Sequence, residues 1–298
     1  MQKILLASLI SLSLVACQKA PAPAADAVVQ APGAVEPASP TAAAVPFADT
    51  LAQLVSGTHR STENIARNEA RHPAETLAFF GLAANTNLIE IAPGGGWYTE
   101  ILAPAVKTEG SYTAIMVDPA ATSSERAREY NEKANKALAD QFAANPDLYG
   151  QARMLAIDPK NPVLGDANSA DMVVTFRNIH GWANSDSAAP MFSAFFAVLK
   201  PGGVLGVEQH RAAAGTDPKE TAKKGYVSEE YVIGLATAAG FQLTEQSEIN
   251  ANPKDDRDHP SGVWSLAPNL DVPEAEKAAY SEIGESDRMT LKFTKPAA

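Results

Sequence analysis

With 298 residues and 45% hydrophobic side chains, the chain can build one large core or two small ones. A formal charge of -11, without any run of Lys or Arg, speaks against a nucleic-acid partner, because phosphate binding needs clustered cations. Cys17 is the only cysteine, which excludes an internal disulfide framework and a thiol nucleophile elsewhere.

The chain opens with a short basic stretch ending at Lys3 and an apolar run, Ile4 to Val15, too short to span a bilayer comfortably. The run ends Leu14-Val15-Ala16-Cys17, which resembles the lipobox of bacterial lipoproteins. That resemblance implies a signal peptide over 1–16, a lipid on Cys17 and a position on the periplasmic face of the envelope. It also implies the outer membrane rather than the inner one, since Gln18 is not the Asp that usually retains lipoproteins at the inner membrane. A chance Cys after a plain signal peptide is the alternative. Residues 17–46 are Ala- and Pro-rich, cannot bury enough surface to fold, and read as an extended tether. One domain, 47–298, remains.

Helical spacing runs through 47–55 and 62–69, and HPAETLAFFGL reads as a third helix with Pro73 in its first turn and Gly81 at its end. Strand and helix then alternate. Strands are expected at 88–92, 112–117, 152–157, 171–176, 203–209, 241–249 and 289–294, with helices over 97–106, 123–144, 188–199 and 229–239. Ser228 is the expected N-cap of the last of these helices and Gly240 its stop. This order predicts an α/β fold with a mostly parallel sheet covered on both faces. The Pro-rich, polar connection 250–269 and a short helix over 273–282 suit a C-terminal antiparallel strand at the sheet's edge.

Ligands of such sheets sit outside the carboxyl ends of the strands. There the chain offers Glu90-Ile91-Ala92-Pro93-Gly94-Gly95-Gly96, Asp118, Asp158, the run Arg177 to Trp182 and Glu208 to Arg211. Three consecutive glycines after a buried strand imply a sharp turn or a close approach to a ligand. With Asp118 after the second strand and Leu199-Lys200-Pro201-Gly202-Gly203 before the fifth, the set resembles the class I S-adenosylmethionine-dependent methyltransferases. Their first strand ends in D/E-x-G-x-G-x-G. The acid and the last two glycines match here, whereas Ala92 stands in place of the first. The phrases EIAPGGGWYTEIL, FRNIHGW and EINANPKD are similar to a bacterial group of predicted methyltransferases.

The resemblance implies a doubly wound, Rossmann-like, seven-stranded sheet and S-adenosylmethionine as cofactor. It also implies donor contacts from Glu90, Ala92, Gly94, Gly95, Gly96, Tyr98, Asp118 and Asp158. A nicotinamide dinucleotide fold is the nearest competitor, but its G-x-G-x-x-G spacing requires glycine where Thr99 stands. On the acceptor side the candidates are His180, Arg177, Asn178 and His210. Histidine suits proton removal near neutral pH, while a helix-capping or carbonyl-bonding His is the plainer reading. Glu208, His210 and Arg211 read equally well as a salt-bridging group or a catalytic one, and Arg71-His72-Pro73 reads as a helix start in preference to a lid over the donor. Asp255 to Asp258 with His259 lacks the acid spacing and turn Gly of a calcium loop, so it is expected as a solvated face rather than a metal site. No G-x-S-x-G elbow supports a Ser hydrolase. The expected function is methyl transfer to a small-molecule acceptor. A binding or interaction module that kept the fold and lost or changed the reaction is the second hypothesis.

Overall fold

Strands β1 (Asn87–Ile91), β2 (Ser111–Val117), β3 (Arg153–Ile157), β4 (Ala170–Phe176), β5 (Leu199–His210), β6 (Gln242–Ser247) and β7 (Arg288–Thr294) form one sheet in the order β3-β2-β1-β4-β5-β7-β6. The structure, a computed structural model, describes residues 46–122 and 124–297. The proposed signal peptide and all but the last residue of the tether therefore lie outside the described residues. Helices α1 (Phe47–Val55), α2 (Thr62–Ala66), α3 (Asn68–Arg71) and α4 (Pro73–Phe80) precede the sheet. After β1 comes α5 (Thr99–Val106), and after β2 come α6 (Glu125–Ala144) and α7 (Pro146–Tyr149). Next are α8 (Ile179–Asn184) and α9 (Ala188–Val198) after β4, α10 (Pro218–Thr221) and α11 (Glu229–Ala239) after β5, and α12 (Lys277–Ile283) before β7. Among the described residues no helix is long and apolar enough to cross a membrane.

Strand residues alternate between two apolar layers, as a period of two requires. Ile89, Ile91, Val173, Leu205, Val207, Leu291 and Phe293 pack with α9 and α11 residues such as Phe192, Phe195 and Val232. Leu88, Ala114, Met116, Met172, Val174 and Phe176 pack on the other face with Leu77, Phe80, Ile101 and Leu102. Sequence punctuation places the helices over these layers. Pro73 sits in the first turn of α4 and Gly81 closes it at φ 86. The Ser228 hydroxyl accepts from the Tyr231 N–H, and Gly240 ends α11 at φ 107.

Three expectations change. The helix expected over 62–69 is broken at Arg67. There the Trp97 indole N–H donates to the Asn64 carbonyl at 3.0 Å, the acceptor that an unbroken helix would give to Asn68. The C-terminal strand is antiparallel, but it is not the edge: β7 lies between β5 and β6. Its composition explains the swap. Met289, Thr290, Leu291 and Phe293 are completely buried, whereas β6 is largely exposed and polar. Finally, the sheet is not covered on both faces throughout: Arg153 to Ala156 of β3 are exposed, and residues 158–169 join β3 to β4 without a helix.

Candidate functional site

The five parallel strands end on one edge, and three of them, β1, β2 and β3, carry the glycine loop and its two companion acids. The Ala92 N–H donates to the Ile115 carbonyl at 2.7 Å, extending the β1–β2 ladder to the start of the loop. From there Ala92, Gly94 and Gly96 adopt φ of 45, 59 and 78. Gly94 and Gly96 take left-handed geometry readily, while Ala92 does so against its Cβ. A side chain added at Gly95 would meet nothing within 4 Å, and one at Gly94 only the Tyr130 hydroxyl at 3.7 Å. At Gly96 it would strike Gln141 at 2.7 Å, so the loop is closed towards α6 and open outwards.

Glu90 lies beneath the loop and is only 1% exposed. Its carboxyl accepts from the Tyr112 hydroxyl at 2.5 Å and the Thr99 hydroxyl at 2.8 Å. Burial outweighs these bonds and pushes its pKa up to about 7. Asp118 follows β2, half-buried, with one oxygen taking the Ala120 N–H at 2.9 Å. On the neighbouring strand Asp158 accepts from the Lys160 N–H at 2.9 Å and from the Asn161 amide at 3.0 Å. Those bonds hold its pKa below the usual carboxylate range. The Asp118 N–H donates to the Ile157 carbonyl at 2.8 Å, so the two acids leave adjacent strands at the same edge.

On the other side of β1 the edge is a buried ion-pair network. Arg177, at φ 63, donates to Glu208 at 2.9 Å. Glu208 is completely buried, also accepts from the Tyr98 hydroxyl at 2.9 Å and lies 3.3 Å from Arg288 Nε. Burial alone would raise the Glu208 pKa, but the facing arginines Arg177, Arg288 and Arg71 hold it below the usual carboxylate range. Glu285 accepts from Arg67 at 2.7 Å, from Arg71 at 2.9 Å and from Arg288 at 2.9 Å. Against the effect of its burial, Arg71, Arg288 and Arg67 bring it down to about 2. The Tyr98 ring stacks on Phe176 with centroids 3.6 Å apart, and the Trp97 ring is flanked by Arg60 and Arg71.

Beyond this network stand the histidines. Gln209 Nε2 lies 3.4 Å from His180 Nδ1, and His210 Nδ1 lies 2.5 Å from the Ser286 hydroxyl. The two rings are 5.7 Å apart, and Trp264 meets His180 edge-on at 5.9 Å. Trp264 also lines a cleft of about 720 Å³ with Arg126 and the segment Asn269 to Val272. Burial brings the His180 pKa down to about 4, with Arg177 adding to the effect, and it lowers His210 too. Both imidazoles are neutral near pH 7.

The structure thus separates the sequence candidates into groups. Ala92, Gly94, Gly95, Gly96, Asp118 and Asp158 line the open edge around β1 to β3. Glu90 and Tyr98 are buried behind it. Arg177 is tied to Glu208, while Asn178 donates to the Ile91 carbonyl at 2.8 Å and so fastens the β4 end to the β1 end. The solvated face expected at 255–259 needs correction in part: Asp256 and Asp258 face solvent, but Asp255 and His259 are 2% and 3% exposed. The Asp255 carboxylate takes bonds from Tyr226, Arg257, His259 and Asp287, which pins the segment before β7.

Sequence reasoning missed Glu285, Ser286 and Arg288, and it read Arg71 as part of a helix start rather than as a partner of Glu285. Its acceptor-side candidates were all residues at or just after the ends of strands. Because β7 runs antiparallel, with Arg288 opposite His210, the residues that precede it reach the same edge. The phrase Glu285-Ser286-Asp287-Arg288 just before an apolar strand was the available signal.

Residues 89–207 match the family model described as a methyltransferase domain. No curated protein matches the sequence. Among solved structures, a SAM-dependent methyltransferase from Aquifex aeolicus is similar at a TM-score of 0.51 and 15% identity, over 83% of this chain and 98% of that one. The [4+2]-cyclase SpnF is similar at 0.54 and 17%, over 85% and 93%. A putative sarcosine dimethylglycine methyltransferase from Galdieria sulphuraria is similar at 0.51 and 14%, over 84% and 98%. The fold is that of these proteins, and the methyltransferase-domain match lies within it, over residues 89–207.

Proposed function

We propose that this protein transfers a methyl group from S-adenosylmethionine to a small-molecule acceptor. One observation carries the reading: the left-handed backbone at Ala92, Gly94 and Gly96 opens outward next to Asp118, on the neighbouring strand of the same edge. A backbone cradle without side chains, beside a carboxylate, suits an adenosyl group and its ribose hydroxyls.

When bound, the cofactor supplies an electrophilic methyl carbon on a sulfonium. The loop 92–96 would hold it by backbone contact, with Asp118 at the ribose and Asp158 towards the adenine. Glu90 acts from below by fixing Thr99 and Tyr112 around the loop. Aligning an acceptor with that carbon is most of what catalysis requires, and a base is needed only where the attacking atom carries a proton. His180 and His210, neutral at physiological pH, are the groups on hand to take it. At about 4, His180 is a weak base, which suits an acceptor that is itself acidic or already ionised.

The fold does not certify the reaction, since the cyclase SpnF shares it. Ala92 in a glycine position favours the second reading, a ligand-binding module that has lost or changed catalysis. Incubation with methyl-labelled S-adenosylmethionine and small-molecule envelope extract separates the two. Label entering a small molecule with the wild type but not with Asp118→Ala supports methyl transfer, and none in either supports the binding module. We further propose a lipid anchor on Cys17 that holds the domain at the periplasmic face of the outer membrane. Labelled palmitate incorporated by the wild type and lost in Cys17→Ser tests it.

A further inference from the structure

The network between β4, β5 and β7 holds more positive than negative charge. Four guanidinium groups, from Arg67, Arg71, Arg177 and Arg288, face two carboxylates, Glu208 and Glu285. Arg71 is only 4% exposed, yet only its Nε bonds to protein, towards Glu285, and its two terminal nitrogens have no partner among the described residues. Arg177 uses one terminal nitrogen on Glu208 and leaves its other side-chain donors without a protein partner. Among the described residues, the buried arginine nitrogens without a partner are those of Arg60 and Arg288, not of Arg71 or Arg177, so the free donors of this pair reach solvent and are open to an acceptor from outside. Burial, with Arg177 as the next cause, brings Arg71 down to about 9 despite its contact with Glu285.

Resting on the methyl-transfer reading, we infer that Arg71 and Arg177 form an oxyanion subsite that holds a carboxylate or phosphate group of the acceptor. Position argues for the acceptor rather than the donor's own carboxylate. Asp118 ends β2, on one side of β1. Arg177 ends β4 on the other side, about 10 Å across the sheet at the usual strand spacing, and Glu208 ends β5, one strand further. Paired guanidinium groups match planar or tetrahedral oxyanions by forked hydrogen bonding. The same subsite lies beside the weakly basic histidines, as an acceptor that arrives ionised would need.

Sulfate is the probe. The full chain is melted in about 5 mM sodium sulfate against sodium chloride of equal ionic strength, with and without saturating S-adenosylhomocysteine, whose own carboxylate then occupies the donor position. Sulfate is expected to raise Tm by about 2–4 °C over chloride in both states, a low-millimolar site's effect. Arg71→Gln and Arg177→Gln each lose most of that rise while keeping the S-adenosylhomocysteine shift. If Arg177→Gln does not fold, because Glu208 keeps only Arg288, the Arg71→Gln comparison decides. An equal rise in chloride, or an undiminished sulfate rise in Arg71→Gln, overturns the inference. So does a sulfate rise that S-adenosylhomocysteine abolishes together with an S-adenosylhomocysteine shift that Arg71→Gln abolishes, which would assign the arginines to the donor. Absence of any S-adenosylhomocysteine shift would count against the donor reading alone, leaving the sulfate comparison intact.

Discussion

The Tyr98 hydroxyl donates to the buried Glu208 carboxylate across 2.9 Å, joining the residue that follows the glycine loop to the end of β5. Tyr98 is 2% exposed and stacked on Phe176, so its ring ties the loop to the end of β4 and its hydroxyl ties it to β5. Tyr98→Phe keeps the stacking and removes only the bond. Hydrogen bonds to charged groups are worth about 1.5–3 kcal/mol, so the variant is expected to unfold at lower denaturant by that margin with an unchanged m-value. A loss under about 0.5 kcal/mol would show that the bond does not brace the loop.

Glu90 ties stability to pH. Its pKa is about 7 in the folded chain, against an ordinary 4.5. Between those values the folded protein keeps a proton that the unfolded chain has released, so stability falls as pH rises through this window. The loss is up to about 3 kcal/mol. Glu90→Gln cannot ionise, so its Tm should fall less than that of the wild type between pH 5 and 8. Parallel Tm–pH curves for the two proteins would contradict the assignment.

Ala92 sits at φ 45, where a Cβ costs roughly 1–2 kcal/mol. Ala92→Gly removes that strain but adds up to about 1 kcal/mol of unfolded-state entropy. The variant is expected to be as stable as the wild type or more stable by about 1 kcal/mol, and to bind S-adenosylhomocysteine at least as well. A drop in stability of more than about 1 kcal/mol would mean that the methyl group packs usefully and that the loop is not strained.

Most strands and their order along the chain were legible because their apolar runs are bounded by Gly, Pro and acids, as at Gly81, Asp118 and Gly240. The glycine loop and the two acids at β2 and β3 were legible for the same local reason. The β7 insertion was not, since pairing depends on which strand best tolerates burial on both faces, and MTLKFT against QLTEQS is a comparison between distant segments. The arginine network was hidden in the same way. Arg71, Arg177 and Arg288 come from α3, the end of β4 and the start of β7, and only tertiary packing brings them onto Glu208 and Glu285. The burial of Asp255 and His259 was misread because an acid-rich stretch normally faces water, whereas here Tyr226 and the Asp287 N–H complete the carboxylate.

Calorimetric titration of S-adenosylhomocysteine into the wild type and Asp118→Ala tests the central claim most directly. The account predicts saturable one-to-one binding by the wild type and an affinity ~10–100-fold weaker in the variant, the worth of hydrogen bonds to a carboxylate. No heat at millimolar ligand, or equal affinity in the two proteins, would contradict it.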